Sequence, residues 1–168
     1  MKTHRGGVVD VLTLLHVCPR DLKSHNVLCT RVLEKDQIKL KFKLADFGLS
    51  RLIDQNKQEL STLRPGAGTP AYSSPEVLRG GQITHTCDQW SFAILCWEIM
   101  TKKIPWQGHN QIQIFEELTK HNRRPVVPDE CPIPMRNLIH RCWELESSNR
   151  PEFTEIVSVM MPLVNIRT

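Results

Sequence analysis

The sequence CPRDLKSHNVL, at residues 18–28, places an arginine, an aspartate, a lysine, a histidine and an asparagine within residues 20–26. An apolar run begins immediately afterwards at Val27. So dense a group of polar side chains beside residues that favour burial indicates one of two things. It is either a solvated turn or a set of groups that converge on a charged ligand.

The residues after this polar stretch predict a two-stranded β-hairpin. Residues 27–33 are strand-like, EKDQ at 34–37 is typical of a turn, and IKLKFKL at 38–44 alternates strictly between apolar and lysine side chains. This period of two predicts a half-buried strand with one apolar face and one solvated basic face. The apolar face carries Ile38, Leu40, Phe42 and Leu44, and the basic face carries Lys39, Lys41 and Lys43.

A second motif, DFG at residues 46–48, follows the predicted hairpin directly. Because a hairpin returns its two ends to the same place, we expect Asn26 and Asp46 to lie close together. Amide and carboxylate oxygens are hard ligands that suit Mg²⁺, which usually binds together with substrate phosphates. Gly48 lets the backbone turn sharply after Asp46. The spacing therefore predicts a magnesium site at the open end of the hairpin.

The second half of the chain has the periodicity of a helical body. Residues 88–100 are apolar on nearly all sides, which predicts a buried central helix that Asp88 can cap. Further helices are predicted at 110–121, at 134–145 and from 151 to about 164. The residues expected to face inward are Ile112, Phe115 and Leu118 in the first of these, and Leu138, Ile139, Cys142 and Trp143 in the second.

The polar segment from the DFG motif to residue 76 is too long for an ordinary connection, which is typical of a functional or mobile loop. The chain has 168 residues, enough for one domain or a large part of one. The fold class is therefore mainly α with a small β-hairpin.

The composition excludes several classes of protein. The net charge of +4 is too mild to single out nucleic acid, and no aromatic platform accompanies the lysine face. The six cysteines form no CxxC pair and indicate reduced, mostly buried thiols in a cytoplasmic protein. No run is long enough for a membrane span. The basic start and apolar stretch before Cys18 resemble a signal peptide, but Asp10 interrupts that stretch.

Five motifs occur in one order along the chain. They are RDLKSHNVL at 20–28, LADFGLS at 44–50, GTPAYSSPE at 68–76, DQWSFAILCWEI at 88–99 and CWELESSNRP at 142–151. Together they resemble the C-terminal lobe of a eukaryotic protein kinase, of the tyrosine-kinase-like branch of Ser/Thr kinases. The resemblance implies a partial kinase domain over 1–168, with a catalytic loop at 20–28, an activation segment at 46–76 and a helical body at 86–165.

The resemblance also implies roles for individual residues. Asp21 would accept the proton of the attacking hydroxyl, and Lys23 would steady the transferring phosphoryl group. Asn26 and Asp46 would hold Mg²⁺ against the phosphates of ATP, and Leu28 would form the apolar floor beneath adenine. The position of Lys23, and Thr69 in the third motif, favour Ser or Thr hydroxyls of a protein substrate.

Further implied roles are structural or regulatory. Glu76 and Arg150 would form a buried ion pair, and Asp88 would hold the backbone of the catalytic loop. Arg20 would pair with a phosphate on the activation segment, for which Ser61 and Thr62 are the candidate sites. The open alternative is a loop that is mobile in every state.

Two departures from the family pattern leave two functions open. No glycine-rich loop and no V-A-I-K strand are present, so the ATP-covering N-terminal lobe is expected to be missing. Pro19 replaces a histidine that packs on the Phe47 position. One interpretation is a fragment of a Ser/Thr kinase. The other is a catalytically inactive kinase-like lobe that binds protein partners through its helical surface and residues 102–106.

Overall fold

A computed structural model describes residues 17–34, 37–52, 68–80 and 84–165 of the chain. Its strands are β1 (Val17–Cys18), β2 (Val27–Glu34), β3 (Gln37–Leu44) and β4 (Arg51–Leu52). Its helices are α1 (Pro75–Leu78), α2 (Cys87–Thr101), α3 (Gln111–Thr119), α4 (Ile133–Cys142) and α5 (Phe153–Asn165). Short 3₁₀ turns cover Ser24–Asn26, Pro70–Tyr72 and Ser147–Asn149. Within these ranges, no helix is long and apolar enough to cross a membrane.

The predicted hairpin is present as the antiparallel pair β2–β3. Its register runs from Val27 opposite Leu44 to Glu34 opposite Gln37, so the predicted apolar side chains of β3 do share one face. The prediction that this face is half-buried is wrong along most of its length, since Ile38 is 70% exposed and Leu40 and Phe42 are also exposed. The physical reason is that burial needs a second layer, and among the described residues of the hairpin those that pack against the core are Val27 and Leu44 at its base.

The core is built around α2, as its uninterrupted apolar sequence predicts. Residues 87–97 are all buried, and Trp90 and Ile94 are completely inaccessible to solvent. The expectation that Asp88 caps the helix is wrong: Thr86 is the N-cap, and no side chain caps the helix there. Asp88 is the second residue of α2, two positions after Thr86, and its carboxylate accepts a hydrogen bond from the Arg20 amide instead.

Two shorter helices pack beside α2. Helix α3 begins with a capping box, in which the side chains of Asn110 and Gln113 each accept a hydrogen bond from the other's backbone N–H. Its buried residues are Ile114 and Leu118, one turn apart, which turns Ile112 outward and corrects the predicted face. Helix α4 matches its prediction, because Leu138, Ile139, Cys142 and Trp143 are all buried.

An ion pair joins the end of the activation segment to the helical body. Arg150 donates from both terminal nitrogens to Glu76, at 2.6 Å to Oε1 and 2.9 Å to Oε2, and also to the carbonyl oxygen of Thr86 at 2.9 Å. Burial raises the pKa of Glu76, but the hydrogen bonds and charge of Arg150 outweigh that effect, and the net pKa lies below its ordinary 4.5. The structure thus contains the ion pair expected between these two residues.

A second polar contact joins the catalytic loop to α2. Tyr72 donates its hydroxyl to Oε2 of Glu98 at 2.6 Å, and Ser24 donates to Oε1 of the same carboxylate at 3.1 Å. The two hydroxyls lie 3.2 Å apart. Burial and the hydrogen bond to Glu98 raise the pKa of Tyr72 to about 12. Three segments far apart in sequence therefore meet at one carboxylate.

Removing the negative partner of the Glu76–Arg150 pair is expected to destabilise the fold. The Arg150 side chain is fully buried and that of Glu76 is 21% exposed, so Glu76→Gln leaves an uncompensated buried cation. We expect a loss of about 3 kcal/mol in the free energy of unfolding, measured by urea denaturation. Because the folded pKa is depressed, the pair stabilises fully above pH 4.5, and this contribution is lost as the pH falls through the folded-state pKa.

The matched control for this substitution is Glu116→Gln, which breaks the exposed pair with Lys120 on α3. It should leave the urea midpoint nearly unchanged, because exposed pairs contribute little. Equal midpoints for the Glu76 and Glu116 variants would contradict the assignment of Glu76 as a buried structural partner.

Tyr72 is the single tyrosine of the chain, so tyrosinate absorbance at high pH reports on it alone. In a stopped-flow pH jump we expect a midpoint near 12 for the folded chain and near 10 after denaturation. The raised pKa stabilises the fold fully below pH 10, and this contribution is lost as the pH rises towards 12.

Two variants test the cause of this shift. Glu98→Gln should move the midpoint back towards 10, because it removes the carboxylate that the hydroxyl binds. Ser24→Ala should move it no lower, because the Ser24 contact itself lowers the pKa of Tyr72. A folded-state midpoint at the ordinary value would show that the Tyr72–Glu98 contact does not form.

Candidate active site

Asp88, in the first turn of α2, binds and fixes the backbone of the catalytic loop. The Arg20 amide donates to Oδ1 of Asp88 at 2.9 Å, and the Cys18 thiol donates to Oδ2 at 2.8 Å. Burial raises the pKa of Asp88 to about 6, although these donors act against the rise. Arg20 has a left-handed backbone with a φ of 63°. Because such a conformation is unfavourable for arginine, surrounding contacts must hold it.

Three side chains form a closed triangle at the centre of the site. Lys23 donates from Nζ to Oδ2 of Asp21 at 2.6 Å and to Oγ1 of Thr69 at 2.8 Å. Thr69 in turn donates to Oδ1 of Asp21 at 3.0 Å. Both Asp21 oxygens are therefore oriented, and the lysine charge lies beside them. The arrangement can accept a proton at a carboxylate and bring a positive charge to a nearby anion.

Thr69 reaches the catalytic loop because of the glycine before it. Gly68 has a φ of +88°, and a Cβ there would lie 3.7 Å from the Arg20 carbonyl oxygen and 3.8 Å from Oδ1 of Asp21. The space is ordinary, but the positive φ strongly favours glycine. The GT pair of the third motif thus positions the threonine hydroxyl against Asp21.

Asn26 and Asp46 lie at the two ends of the hairpin, as predicted. The Ala45 amide donates to the Asn26 carbonyl oxygen at 2.8 Å, which places Asp46 one residue from that contact. Asn26 is buried, and its Nδ2 donates to the carbonyl oxygen of Asp21 at 2.9 Å. Asp46 is exposed, has a φ of 59°, and accepts from the Gly48 amide at 3.2 Å.

These donors fit a hard divalent cation. The amide nitrogen of Asn26 is engaged by the catalytic loop, so its Oδ1 is the atom suited to bind a metal. The Asp46 carboxylate supplies a second oxygen ligand at the same end of the hairpin, and an oxygen set of this kind suits Mg²⁺.

Leu28, expected beneath adenine, and Phe47 of the DFG motif are both exposed to solvent. Leu28 is 53% exposed and lies opposite Lys43 in the hairpin, on the basic face. Phe47 of the DFG motif is 46% exposed, and Pro19 is buried. The missing histidine at position 19 is consistent with an exposed Phe47, since a proline offers no aromatic ring to pack on it.

The structure thus brings most of the predicted site residues together. Asp21, Lys23, Asn26 and Thr69 share one hydrogen-bond network, and Arg20 lies beneath it. Ser61 and Thr62 fall outside the described residues. Sequence reasoning missed two groups of residues. One is the polar network of Ser24, Tyr72 and Glu98, and the other is the pair of thiols beside Asp88, on Cys18 and Cys87. Ser24, Tyr72 and Glu98 lie inside three of the quoted motifs, which was the available signal, but no local pattern marks Cys18 or Cys87.

Comparisons with known proteins agree with this site. A family model for "Protein tyrosine and serine/threonine kinase" matches residues 9–160. The probable serine/threonine-protein kinase drkC of Dictyostelium discoideum is 36% identical, over 94% of this chain and 21% of the relative. The dual specificity protein kinase shkC of the same organism is 37% identical, over 84% of this chain and 26% of the relative.

A human relative extends the likeness beyond one organism. Human mitogen-activated protein kinase kinase kinase 11 is 32% identical, over 89% of this chain and 17% of the relative. The chain thus spans about a fifth of the length of these curated relatives. The resemblance carried by the five sequence motifs is confirmed, and the chain belongs to the protein tyrosine and serine/threonine kinase family.

Proposed function

We propose that this chain is the C-terminal lobe of a Ser/Thr protein kinase that transfers a phosphoryl group from ATP to a protein hydroxyl. The observation that supports the proposal most directly is the triangle of Asp21, Lys23 and Thr69, in which both carboxylate oxygens of Asp21 are oriented. Two of the relatives are named serine/threonine or dual specificity kinases, which agrees with a hydroxyl acceptor.

In this proposal, the chain's residues position the reacting groups and carry a proton. Asp21 accepts the proton of the substrate hydroxyl, and Thr69 keeps the carboxylate turned towards it. Lys23 brings its positive charge to the phosphoryl group as negative charge develops there. Because Lys23 is bound to both Asp21 and Thr69, the base and the cation are held at a fixed separation before substrate arrives.

Asn26 and Asp46 are the proposed ligands of Mg²⁺. When bound, the ion would neutralise charge on the ATP phosphates and orient them. Asn26 also donates to Asp21, so one residue links the metal end of the site to the base. Leu28 is the proposed apolar contact for adenine, and its exposure leaves that surface free to receive a flat ring.

The second candidate function is a kinase-like lobe that binds partners without catalysis. Pro19, buried where the family has a histidine, favours this reading, and so does the exposed apolar side chain of Ile104 within residues 102–106. The triangle at Asp21 favours the enzyme, because a purely structural lobe has no need to orient both oxygens of a carboxylate beside a lysine.

The decisive test is transfer of labelled phosphate from ATP, measured for the 168-residue chain and for the longest natural polypeptide that contains its sequence. We expect little transfer by the chain alone, because positioning of ATP requires contacts beyond this lobe. In the longer polypeptide, Asp21→Asn should lower the rate of phosphate transfer about 10²-fold or more, since it removes the proton acceptor.

Asp129→Asn is the matched control, because Asp129 is an exposed carboxylate outside the site, and it should leave the rate unchanged. Chelation of Mg²⁺ should abolish transfer in both variants. If the longer polypeptide transfers no phosphate but still binds protein partners, the result would support the non-catalytic, partner-binding function instead.

Phosphorylation of the activation segment is proposed at Ser61 or Thr62, with Arg20 as the residue that the phosphate influences. Arg20 is the first residue of the catalytic loop and is buried, so a phosphate that pairs with it would act directly on the loop backbone. We expect mass spectrometry of the native protein to find phosphate at one of the two positions, and Ser61→Ala with Thr62→Ala to lower the rate. Native protein that carries neither phosphate would contradict this.

A further inference from the structure

Two thiols meet directly beneath the catalytic loop. Cys18, in β1, is 1% exposed, and Cys87, the first residue of α2, is 4% exposed. Their sulfur atoms lie 3.9 Å apart, although the residues are 69 positions apart in sequence. Both cysteines are free thiols. Sulfurs at van der Waals contact, carried by two different elements, are the starting arrangement for a disulfide.

The pair lies beside a group that can take a thiol proton. The Cys18 thiol donates to Oδ2 of Asp88 at 2.8 Å, while Oδ1 of the same carboxylate accepts from the Arg20 amide. Burial and the mutual contact raise the pKa of the Cys18 thiol, and burial raises that of Cys87 despite the Cys18 contact. Thiolate is therefore scarce at neutral pH, and oxidation is expected to be slow compared with the exposed Cys29.

We propose that Cys18 and Cys87 form an oxidative modification site, at which a peroxide converts the two thiols to one intramolecular disulfide. The Cys18 sulfur, after passing its proton to Asp88, attacks a peroxide oxygen. The O–O bond breaks, the leaving hydroxide takes the proton held by Asp88, and a sulfenic acid and one water result. The Cys87 sulfur then attacks the Cys18 sulfur, its proton leaves with the expelled hydroxyl as a second water, and the S–S bond forms. Two thiols are oxidised and one hydrogen peroxide is reduced to two waters.

A bound metal is a weaker explanation of the same cluster. Cys18, Cys87 and Asp88 offer ligand atoms within 4.8 Å of one another, but this described cluster supplies only three. A structural zinc site closes with four ligands. The Cys18 sulfur lies 2.8 Å from the Asp88 oxygen, within hydrogen-bond distance, so these two groups contact each other directly.

The disulfide would change how the catalytic loop is anchored. A disulfide sulfur has no proton to donate, so Asp88 would lose its contact from Cys18 while its other oxygen still binds the Arg20 amide. The modification therefore acts on the loop that carries Asp21. The inference does not depend on the proposed kinase activity, because the thiol contact exists whether or not phosphate is transferred.

The test treats the chain with hydrogen peroxide, denatures it, blocks remaining thiols with an alkylating reagent and maps the peptides. We expect a linked peptide pair joining Cys18 to Cys87, with a mass about 2 Da below the two free peptides. The link closes a long loop, so the melting temperature should rise by about 5–10 °C and fall again after reduction.

Two variants separate this pair from other thiols. Cys29→Ser removes the exposed thiol and should leave the link and the thermal shift intact. Cys87→Ser should abolish both, and near-UV circular dichroism checks that this variant is folded. The wild-type peptide map decides the matter even if the variant is not. Recovery of both peptides as alkylated thiols after Cys29 is fully oxidised would overturn the proposal, as would zinc bound at one ion per chain.

Discussion

The hydrogen bonds that Asp88 accepts are the contacts on which the site most depends. A carboxylate at a completely buried position is costly, and its raised pKa reflects that cost. Two donors from the catalytic loop region offset it, namely the Arg20 amide and the Cys18 thiol. Helix α2 is the most deeply buried helix of the described chain. A loop that is hydrogen-bonded to its first turn is therefore held rigidly by the core. The strained φ of Arg20 can be maintained only in such a setting.

The same arrangement recurs at other junctions between the loops and the helical body. Glu98, near the other end of α2, gathers hydroxyls from the catalytic loop and from the segment before α1. Arg150, before α5, holds Glu76 and the carbonyl oxygen before α2. In each case a charged group on the body binds several groups on the loops. Polar contacts to the core therefore position these loops. Apolar packing holds in place the helices that bear the polar groups.

The sequence predicted the elements more reliably than their environments. The alternation of residues 38–44 predicted the hairpin and its two faces correctly, but not that the apolar face would be exposed. Periodicity reports which side chains share a face and carries no information about what lies opposite. For the same reason Asp88 was a reasonable helix cap by local sequence, while its true partner, the amide of Arg20, lies 68 residues away. Contacts such as Cys18 with Cys87 depend wholly on tertiary structure.

The described residues hold the two carboxylates of the candidate site, Asp21 and Asp46, to different degrees. On the proposed hydroxyl side, Asp21 is bound by Lys23, Asn26 and Thr69, so three residues on two segments fix its orientation. On the proposed metal side, Asp46 is exposed and is held by its own turn through the Gly48 amide. Substitutions at Asp21 therefore disturb contacts that the fold also uses, whereas Asp46 can change with little effect on packing. Asp46 is exposed and held only locally because strand β3 ends at Leu44, two residues before it, so its carboxylate keeps the freedom to adjust to the proposed cation.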